Sequence, residues 1–92
     1  MPTPDLSRDG RDFVLAMQAK HARQVLMKII ELCSNPTPQD AKMLKGTSGD
    51  FWRVDAGEYR IIYRLEDDVL KVPLIGKRND DEVYREMRRR GL

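Results

Sequence analysis

Five side chains in the second half of the sequence are suited to phosphate chemistry, and they belong to Arg53, Arg60, Lys77, Arg78 and Tyr84. An arginine guanidinium can hold two phosphate oxygens at once, and lysine supplies a compact positive charge. Such groups also stabilise the negative charge that builds up when a phosphodiester is attacked. The residue types therefore suit a site that binds a phosphodiester. Ordinary exposed residues on a polar sheet face would produce the same pattern.

The last residues of the sequence add a cluster of positive charge. Arg85, Arg88, Arg89 and Arg90 stand against Glu86 alone, and clustered cations of this kind attract phosphate. A solvated helix end is the alternative, because cations near a helix C-terminus also complement the helix dipole. From these residues taken alone we favour the helix end.

Other kinds of chemistry find little support in the sequence. The single cysteine, Cys33, cannot form an internal disulfide, and with the single histidine, His21, it does not make a recognisable zinc-ligand set. One histidine also cannot act as a paired acid and base, and no glycine-rich nucleotide loop is present. We expect Cys33 in the core and His21 on the solvated face of a helix. A reducing cytoplasm is the expected compartment.

The composition is that of a small folded protein. With 92 residues, of which 40% are hydrophobic and 35% charged, the chain has room for one core, and we predict a single domain over residues 1–92. The net charge is only +2, and residues 1–41 carry five basic and five acidic groups, so the excess lies in residues 42–92. No apolar run is long enough to cross a bilayer, and no secretion signal is recognisable, so we expect no membrane partner.

Two helices are predicted in the first half of the chain. Ser7 can cap a helix over residues 8–18, in which Gly10 is a weakness. A second helix over residues 19–34 is more clearly marked, because its apolar residues recur at three- and four-residue spacing. They are Ala22, Val25, Leu26, Ile29, Ile30 and Cys33. Such a stripe has to pack on a flat apolar surface. Pro36 and Pro38 end this helix.

Alternating patterns predict strands in the second half. After a polar turn at residues 46–49, strands are expected over residues 51–54, 58–65 and 69–75, joined by tight turns into an antiparallel meander. The middle strand places Tyr59, Ile61, Tyr63 and Leu65 on one face and Arg60, Ile62 and Arg64 on the other.

Three weaker signals complete the predicted fold. Pro73 argues against a fully paired central position for the third strand. A short helix over residues 80–90 would point Val83 and Met87 inward, and residues 3–6 can add an edge strand. The predicted class is α+β, with two N-terminal helices, an antiparallel meander and a short C-terminal helix.

Five motifs in this order resemble the RelE branch of the RelE/ParE toxin superfamily, over about residues 13–88. They are Leu44-Lys45-Gly46, Phe51-Trp52-Arg53-Val54, Gly57-Glu58-Tyr59-Arg60-Ile61-Ile62-Tyr63, Ile75-Gly76-Lys77-Arg78 and Glu82-Val83-Tyr84. The Tyr-Arg-Ile-Ile-Tyr motif followed by Gly-Lys-Arg and Glu-Val-Tyr is far more specific than any one motif. The resemblance implies a RelE-like fold, in which the two N-terminal helices pack on a small twisted antiparallel sheet and a short helix lies at the C-terminus.

The resemblance implies a toxin of a type II toxin–antitoxin pair that cleaves messenger RNA in the ribosomal decoding site. The implied reaction is attack of the RNA 2′-hydroxyl on the adjacent phosphate, which leaves a cyclic phosphate and a free 5′-hydroxyl. It implies neither a metal nor another cofactor. The implied partners are a cognate antitoxin, in a toxin–antitoxin hetero-oligomer, and the ribosome with its message.

The resemblance also implies roles for particular residues. Arg53 and Arg60 would orient the scissile phosphate, Arg78 would stabilise the transition state and help to protonate the leaving oxygen, and Tyr84 would stack or assist proton transfer. Lys45 and Lys77 are candidates for RNA backbone contacts, and Arg85 and Arg88 of the basic cluster are further RNA-binding candidates.

Asp55 departs from the family pattern, in which a second lysine or arginine can stand two positions after the equivalent of Arg53. Asp55 can act as the general base, which would need a pKa matched to that task, or it can end the strand. We favour the strand end. Two other functions stay open, namely a ParE-like DNA gyrase inhibitor and a catalytically silent antitoxin-binding protein. Arg78 and Tyr84 argue against the gyrase inhibitor, which needs no such basic and aromatic set.

Overall fold

A computed structural model describes residues 2–45, 50–79 and 81–92, which form three helices and five strands. The helices are α1 (Arg8–Leu15), α2 (Ala19–Ser34) and α3 (Glu82–Arg90). The strands are β1 (Thr3–Leu6), β2 (Lys42–Met43), β3 (Trp52–Ala56), β4 (Tyr59–Glu66) and β5 (Val69–Lys77). Within the described part of the chain, no helix is long and apolar enough to span a membrane.

All five strands belong to one sheet in the order β1-β5-β4-β3-β2. The antiparallel meander of β3, β4 and β5 is confirmed. The weakly marked N-terminal strand also exists, but β1 runs parallel to β5, with Thr3 opposite Val69 and Leu6 opposite Val72. The predicted α+β class is therefore confirmed, and the sheet is mixed because its first strand joins in parallel.

The helix pair packs on one face of the sheet. From α2 the buried side chains of Val25 and Ile29 meet Tyr59, Ile61 and Tyr63 of β4. The predicted division of β4 into two faces is thereby confirmed over most of its length, although Leu65 at its end is exposed. Cys33 lies in this core as expected, and its burial raises the pKa of its thiol.

The apolar stripe of α2 is wider than the surface that the sheet covers. Leu26 and Ile30 were expected to pack inward, yet their exposed fractions are 42% and 55%. His21 was expected in solvent, but it is half-buried, with its ring centroid 5.6 Å from that of Tyr59. Both differences arise from the rotation of α2 about its own axis. The apolar periodicity of the sequence predicts a helix but does not specify which side of that helix faces the sheet.

Helix α3 covers the opposite face of the sheet. Val83 and Met87 point inward as predicted, and they pack with Phe51, Ile62 and Leu74 in a second, smaller core. The helix approaches β5 closely where it passes Gly76: a Cβ atom there would lie 2.6 Å from a methyl carbon of Val83. This contact sets the distance between α3 and the sheet.

Pro73 lies in β5, which has a neighbouring strand on each side, but Pro73 itself has no register partner in either strand among the described residues, in agreement with the sequence-based prediction. It is accommodated because the pairing of β4 with β5 shifts register between Ile62 and Arg64, and a proline is tolerated at such an irregularity. Its carbonyl accepts a hydrogen bond from the Ser7 hydroxyl at 2.8 Å.

Several element boundaries also differ from those predicted. Helix α1 ends at Leu15, and β2 was not predicted. Strand β3 continues through Asp55 to Ala56, so Asp55 does not end the strand, and the turn consists of Gly57 and Glu58 instead. Gly57 has a φ of 59°, which glycine adopts without strain. The turn expected at residues 46–49 lies outside the described residues.

Candidate functional site

The hairpin of β3 and β4 brings Asp55 directly opposite Arg60. The two-residue turn of Gly57 and Glu58 places Ala56 opposite Tyr59. The next pair along the two strands is therefore Asp55 opposite Arg60. The Arg60 Nε donates to Asp55 Oδ1 at 2.8 Å, and Nη2 donates to Oδ2 at 3.3 Å. This is the two-point geometry in which a guanidinium binds a carboxylate most strongly.

Helix α3 adds Tyr84 to this pair. The Arg60 Nη1 donates to the Tyr84 hydroxyl at 2.9 Å, and the guanidinium carbon lies 5.7 Å from the centre of the Tyr84 ring. Tyr84 reaches this position because its neighbour Val83 is buried against the sheet beside Gly76. Arg60 is thus held between a strand and a helix.

Two further arginines surround the same carboxylate. Arg78 follows β5, and its Nη1 lies 3.7 Å from Asp55 Oδ2. Its backbone N–H donates to the Glu58 carbonyl at 3.1 Å, which ties it to the hairpin turn. Arg53 lies two residues before Asp55 and hence on the same sheet face. The predicted catalytic set of Arg53, Arg60, Arg78 and Tyr84 therefore lies on one surface.

The electrostatics of this cluster keep Asp55 ionised. The hydrogen bond from Arg60 lowers the pKa of the Asp55 carboxyl, and the positive charges of Arg60, Arg78 and Arg53 add to the effect against its partial burial. The same hydrogen bond raises the pKa of Arg60. The three guanidinium groups and one carboxylate sum to a charge of +2, so these four side chains still attract an anion.

The predicted RNA-binding residues lie in different surroundings. Lys45 is exposed beside the residues that are not described, and Arg85 and Arg88 are exposed on α3. Arg88 lies one helical turn beyond Tyr84, so it extends the positive surface. Lys77 follows Gly76 on β5, and strand alternation places it on the opposite face from α3, away from the carboxylate cluster.

The rest of the C-terminal basic cluster is engaged in ion pairs. Arg89 and Arg90 both pair with Glu86, and Arg90 also pairs with Asp9 of α1. These pairs lower the pKa of the Glu86 carboxyl to about 2. The helix-end interpretation therefore suits Arg89 and Arg90, whereas Arg85 and Arg88 remain candidates for contacts with a ligand.

Sequence reasoning missed two features of this face. It favoured Asp55 as the end of the strand, whereas a two-residue turn at Gly57 and Glu58 puts Asp55 opposite Arg60. It also gave no role to Arg64, whose guanidinium carbon lies 5.2 Å from the centre of the Phe51 ring. Alternation from Arg60 along β4 was the available signal for the second feature.

Residues 5–82 match the family model of the ParE toxin of the type II toxin-antitoxin system parDE. No curated protein has significant sequence similarity to the chain.

Several solved RelE structures have a similar fold. The archaeal RelE–RelB complex from Pyrococcus horikoshii OT3 contains a chain with a TM-score of 0.75 and 25% identity, and the match covers 86% of this chain and 97% of that one. The isolated RelE toxin of E. coli has a TM-score of 0.73 and 24% identity over the whole of both chains. The RelBE2 toxin–antitoxin complex of Mycobacterium tuberculosis gives 0.72 and 18%, covering 85% of this chain and 100% of that one. The likeness at these identities is one of fold.

Proposed function

Since the chain belongs to the RelE/ParE superfamily of type II toxin–antitoxin toxins, we propose that it is a ribonuclease that cleaves messenger RNA in the ribosomal decoding site. One observation carries this proposal: Arg53, Arg60, Arg78 and Tyr84 converge at one end of a sheet face. A phosphodiester under attack gains negative charge, and preorganised guanidinium groups stabilise that charge.

The reaction that suits this arrangement uses the RNA's own nucleophile. The 2′-hydroxyl gives up its proton to solvent as its oxygen forms a bond to the adjacent phosphorus, and the bond from phosphorus to the 5′-oxygen breaks as that oxygen takes up a proton. The products are a cyclic phosphate and a free 5′-hydroxyl. Arg53 and Arg60 hold the phosphate oxygens in this scheme, and Arg78, with 48% of its side chain exposed, approaches the phosphate from solvent.

Tyr84 is suited to deliver a proton to the leaving 5′-oxygen. Its hydroxyl oxygen accepts a hydrogen bond from Arg60, so its own hydrogen is directed elsewhere and is available for donation. Asp55 is less suited to be the general base, because its lowered pKa weakens its affinity for a proton and Arg60 engages both of its oxygens.

We propose that the outer surface of α2 binds the antitoxin. Met27 and Ile30 leave 61% and 55% of their surface exposed there, beside the basic residues Lys20 and Arg23, and these four line one groove. An amphipathic helix with acidic flanks would cover the apolar side chains and complement the charges. The solved RelE–RelB structures are themselves complexes of toxin with antitoxin.

Arginine replacements test the ribonuclease proposal. Arg78→Ala removes an exposed side chain, so the protein should stay folded, while single-turnover cleavage of a message on programmed ribosomes should fall by about 100-fold or more. Arg60→Ala should have an effect of the same order. Arg11→Ala, which removes an exposed arginine from α1, is the control and should cleave at the parental rate. If both active-site variants stay folded by thermal unfolding and cleave normally, the proposed site is wrong.

A second candidate function is inhibition of DNA gyrase, which the match to the ParE family model favours. Induction of the protein without a partner separates the two functions. Ribonuclease action on the ribosome should stop protein synthesis first. Gyrase inhibition is the correct function if DNA synthesis stops first while ribosome-bound messages stay intact.

A further inference from the structure

The Asp55 carboxylate engages two guanidinium groups of the arginine cluster. Each of its two oxygens accepts a hydrogen bond from the Arg60 fork, and Oδ2 also lies 3.7 Å from Arg78 Nη1. A guanidinium engages two oxygens of a phosphate with the same pair of parallel hydrogen bonds. The carboxylate and an incoming phosphate therefore need the same donors.

Arg60 has little capacity left for a second anion while Asp55 is in place. Its Nε and Nη2 face the carboxylate, and its Nη1 donates to the Tyr84 hydroxyl. The arginine side chain is only 14% exposed, so it cannot turn a different edge toward a ligand without moving through the packed face. A phosphate that binds Arg60 at two points has to take over the edge that Asp55 holds.

An anion from solvent can reach the Asp55 carboxylate and displace it. The Asp55 side chain is 32% exposed and that of Arg78 is 48% exposed, so an anion reaches both from solvent. Arg60 also keeps its contact with Tyr84 when the carboxylate turns away, since that contact uses a different nitrogen.

We propose that Asp55 is an internal counter-ion, which holds Arg60 in place while the site is empty and competes with the phosphodiester for Arg60 and Arg78. The identity of the ligand as a phosphodiester rests on the proposed function, whereas the competition with an anion does not. Asp55 is then a positioning residue that lowers the affinity of the site for any polyanion. RNA that other contacts already hold in place overcomes this competition, whereas free RNA binds weakly.

Asp55→Asn tests the competition, because it removes the charge and keeps the size of the side chain. The matched control is Asp67→Asn, which makes the same charge change in the turn after β4, at the other end of the strand from Arg60, where Asn tolerates the φ of 50°. Sulfate is the first probe, and its binding is followed by the NMR signals of the arginine Nε–H groups. A fully 2′-O-methylated oligoribonucleotide, which cannot be cleaved, is the second probe, followed by fluorescence anisotropy.

The counter-ion role predicts that Asp55→Asn binds both probes about fivefold more tightly than the parent, the order of magnitude of one partly exposed ion pair. The dependence of log affinity on log salt should become steeper by about 0.7, since one more cation then releases a counterion when the strand binds. Asp67→Asn should shift neither quantity comparably.

Equal or weaker binding by folded Asp55→Asn would overturn the proposal, because a residue that only orders Arg60 would lower affinity when it is removed. A gain of the same size in Asp67→Asn would overturn it as well, since net charge alone would then explain the effect. Neither measurement depends on cleavage. A protein without ribonuclease activity would still show the sulfate result.

Discussion

Arg60 is the residue around which the candidate site is organised. Its guanidinium binds Asp55 through two nitrogens and Tyr84 through the third. A donor held from several sides is oriented before a ligand arrives, so it needs no reorganisation when charge develops on that ligand. In the proposed mechanism the low exposure of Arg60 suits positioning, whereas the greater exposure of Arg78 suits access.

The Tyr84 hydroxyl should contribute to cleavage beyond the contribution of the ring. Tyr84→Phe keeps the ring beside Arg60 but removes the proton that is available to the leaving oxygen. We expect the single-turnover rate on programmed ribosomes to fall by about 100-fold, as for loss of a general acid.

Tyr63→Phe is the matched control for that hydroxyl. It removes a hydroxyl that donates to the Pro36 carbonyl at 2.6 Å on the opposite side of the sheet. This control should lower thermal stability and leave the cleavage rate of the folded protein unchanged. A parental rate in Tyr84→Phe would show that the tyrosine acts only by stacking.

The residues of the candidate site could be predicted from the sequence, but the contacts between their side chains could not. Arg53, Arg60, Arg78 and Tyr84 follow from their motifs and from the alternation of β4. The contact between Asp55 and Arg60 depends on where the hairpin turn begins. If the predicted turn is misplaced by one or two residues, Asp55 appears to end the strand instead of pairing across the hairpin with Arg60.

At the scale of elements, the position of α3 determines whether Tyr84 reaches the sheet. The helix rests on Val83 and Met87, and its closest approach is at Gly76, directly opposite Arg60 in the strand register. Because this contact is closely packed, a small displacement at Gly76 would move the whole of α3.

Gly76→Ala should push α3 away from β5. The new methyl group would lie 2.6 Å from Val83, which requires a shift, and overpacking of this kind destabilises by about 1–3 kcal/mol. Cleavage should fall further than stability accounts for, because misplacement by about 1 Å can lower the rate by 100-fold. Urea unfolding and single-turnover cleavage measure the two effects.

The double variant Gly76→Ala with Val83→Ala serves as the control for this displacement. It removes the methyl group that clashes, so cleavage should recover although a buried side chain has been truncated. If the double variant cleaves no better than the single one, the position of α3 does not control Tyr84.

Element prediction succeeded where the pattern was long and failed where it was short. The 16 residues of α2 were predicted with correct ends, because six apolar positions repeat along them. The two residues of β2 carry no periodicity. The interior position of β5 in the sheet could not be foreseen either, because its proline lies where the pairing with β4 is irregular.

At the scale of the whole molecule, the sheet separates the proposed antitoxin surface on α2 from the candidate active site beside α3. Ile30→Glu should therefore prevent copurification of an untagged antitoxin encoded by a neighbouring gene and leave ribosomal cleavage intact. The free energy of unfolding should change by no more than about 0.5 kcal/mol, because the Ile30 side chain is 55% exposed.

Leu65→Glu is the matched control for this surface. It makes the same kind of change at a side chain that is 50% exposed at the end of β4, outside the α2 groove. The antitoxin should still copurify with it. Loss of the complex in Leu65→Glu but not in Ile30→Glu would place the partner elsewhere.

The parallel pairing of β1 with β5 has a consequence for the kinetics of folding. The contact of Ser7 with Pro73, next to this pairing, joins residues 66 positions apart in the sequence. Closing so long a loop is slow, whereas helices such as α2 form from local contacts within microseconds. Strand β5 is also the one that leads into Arg78 and carries Gly76 under α3. A partner that recognises α2, as proposed for the antitoxin, can therefore engage the chain before the residues of the candidate site have come together.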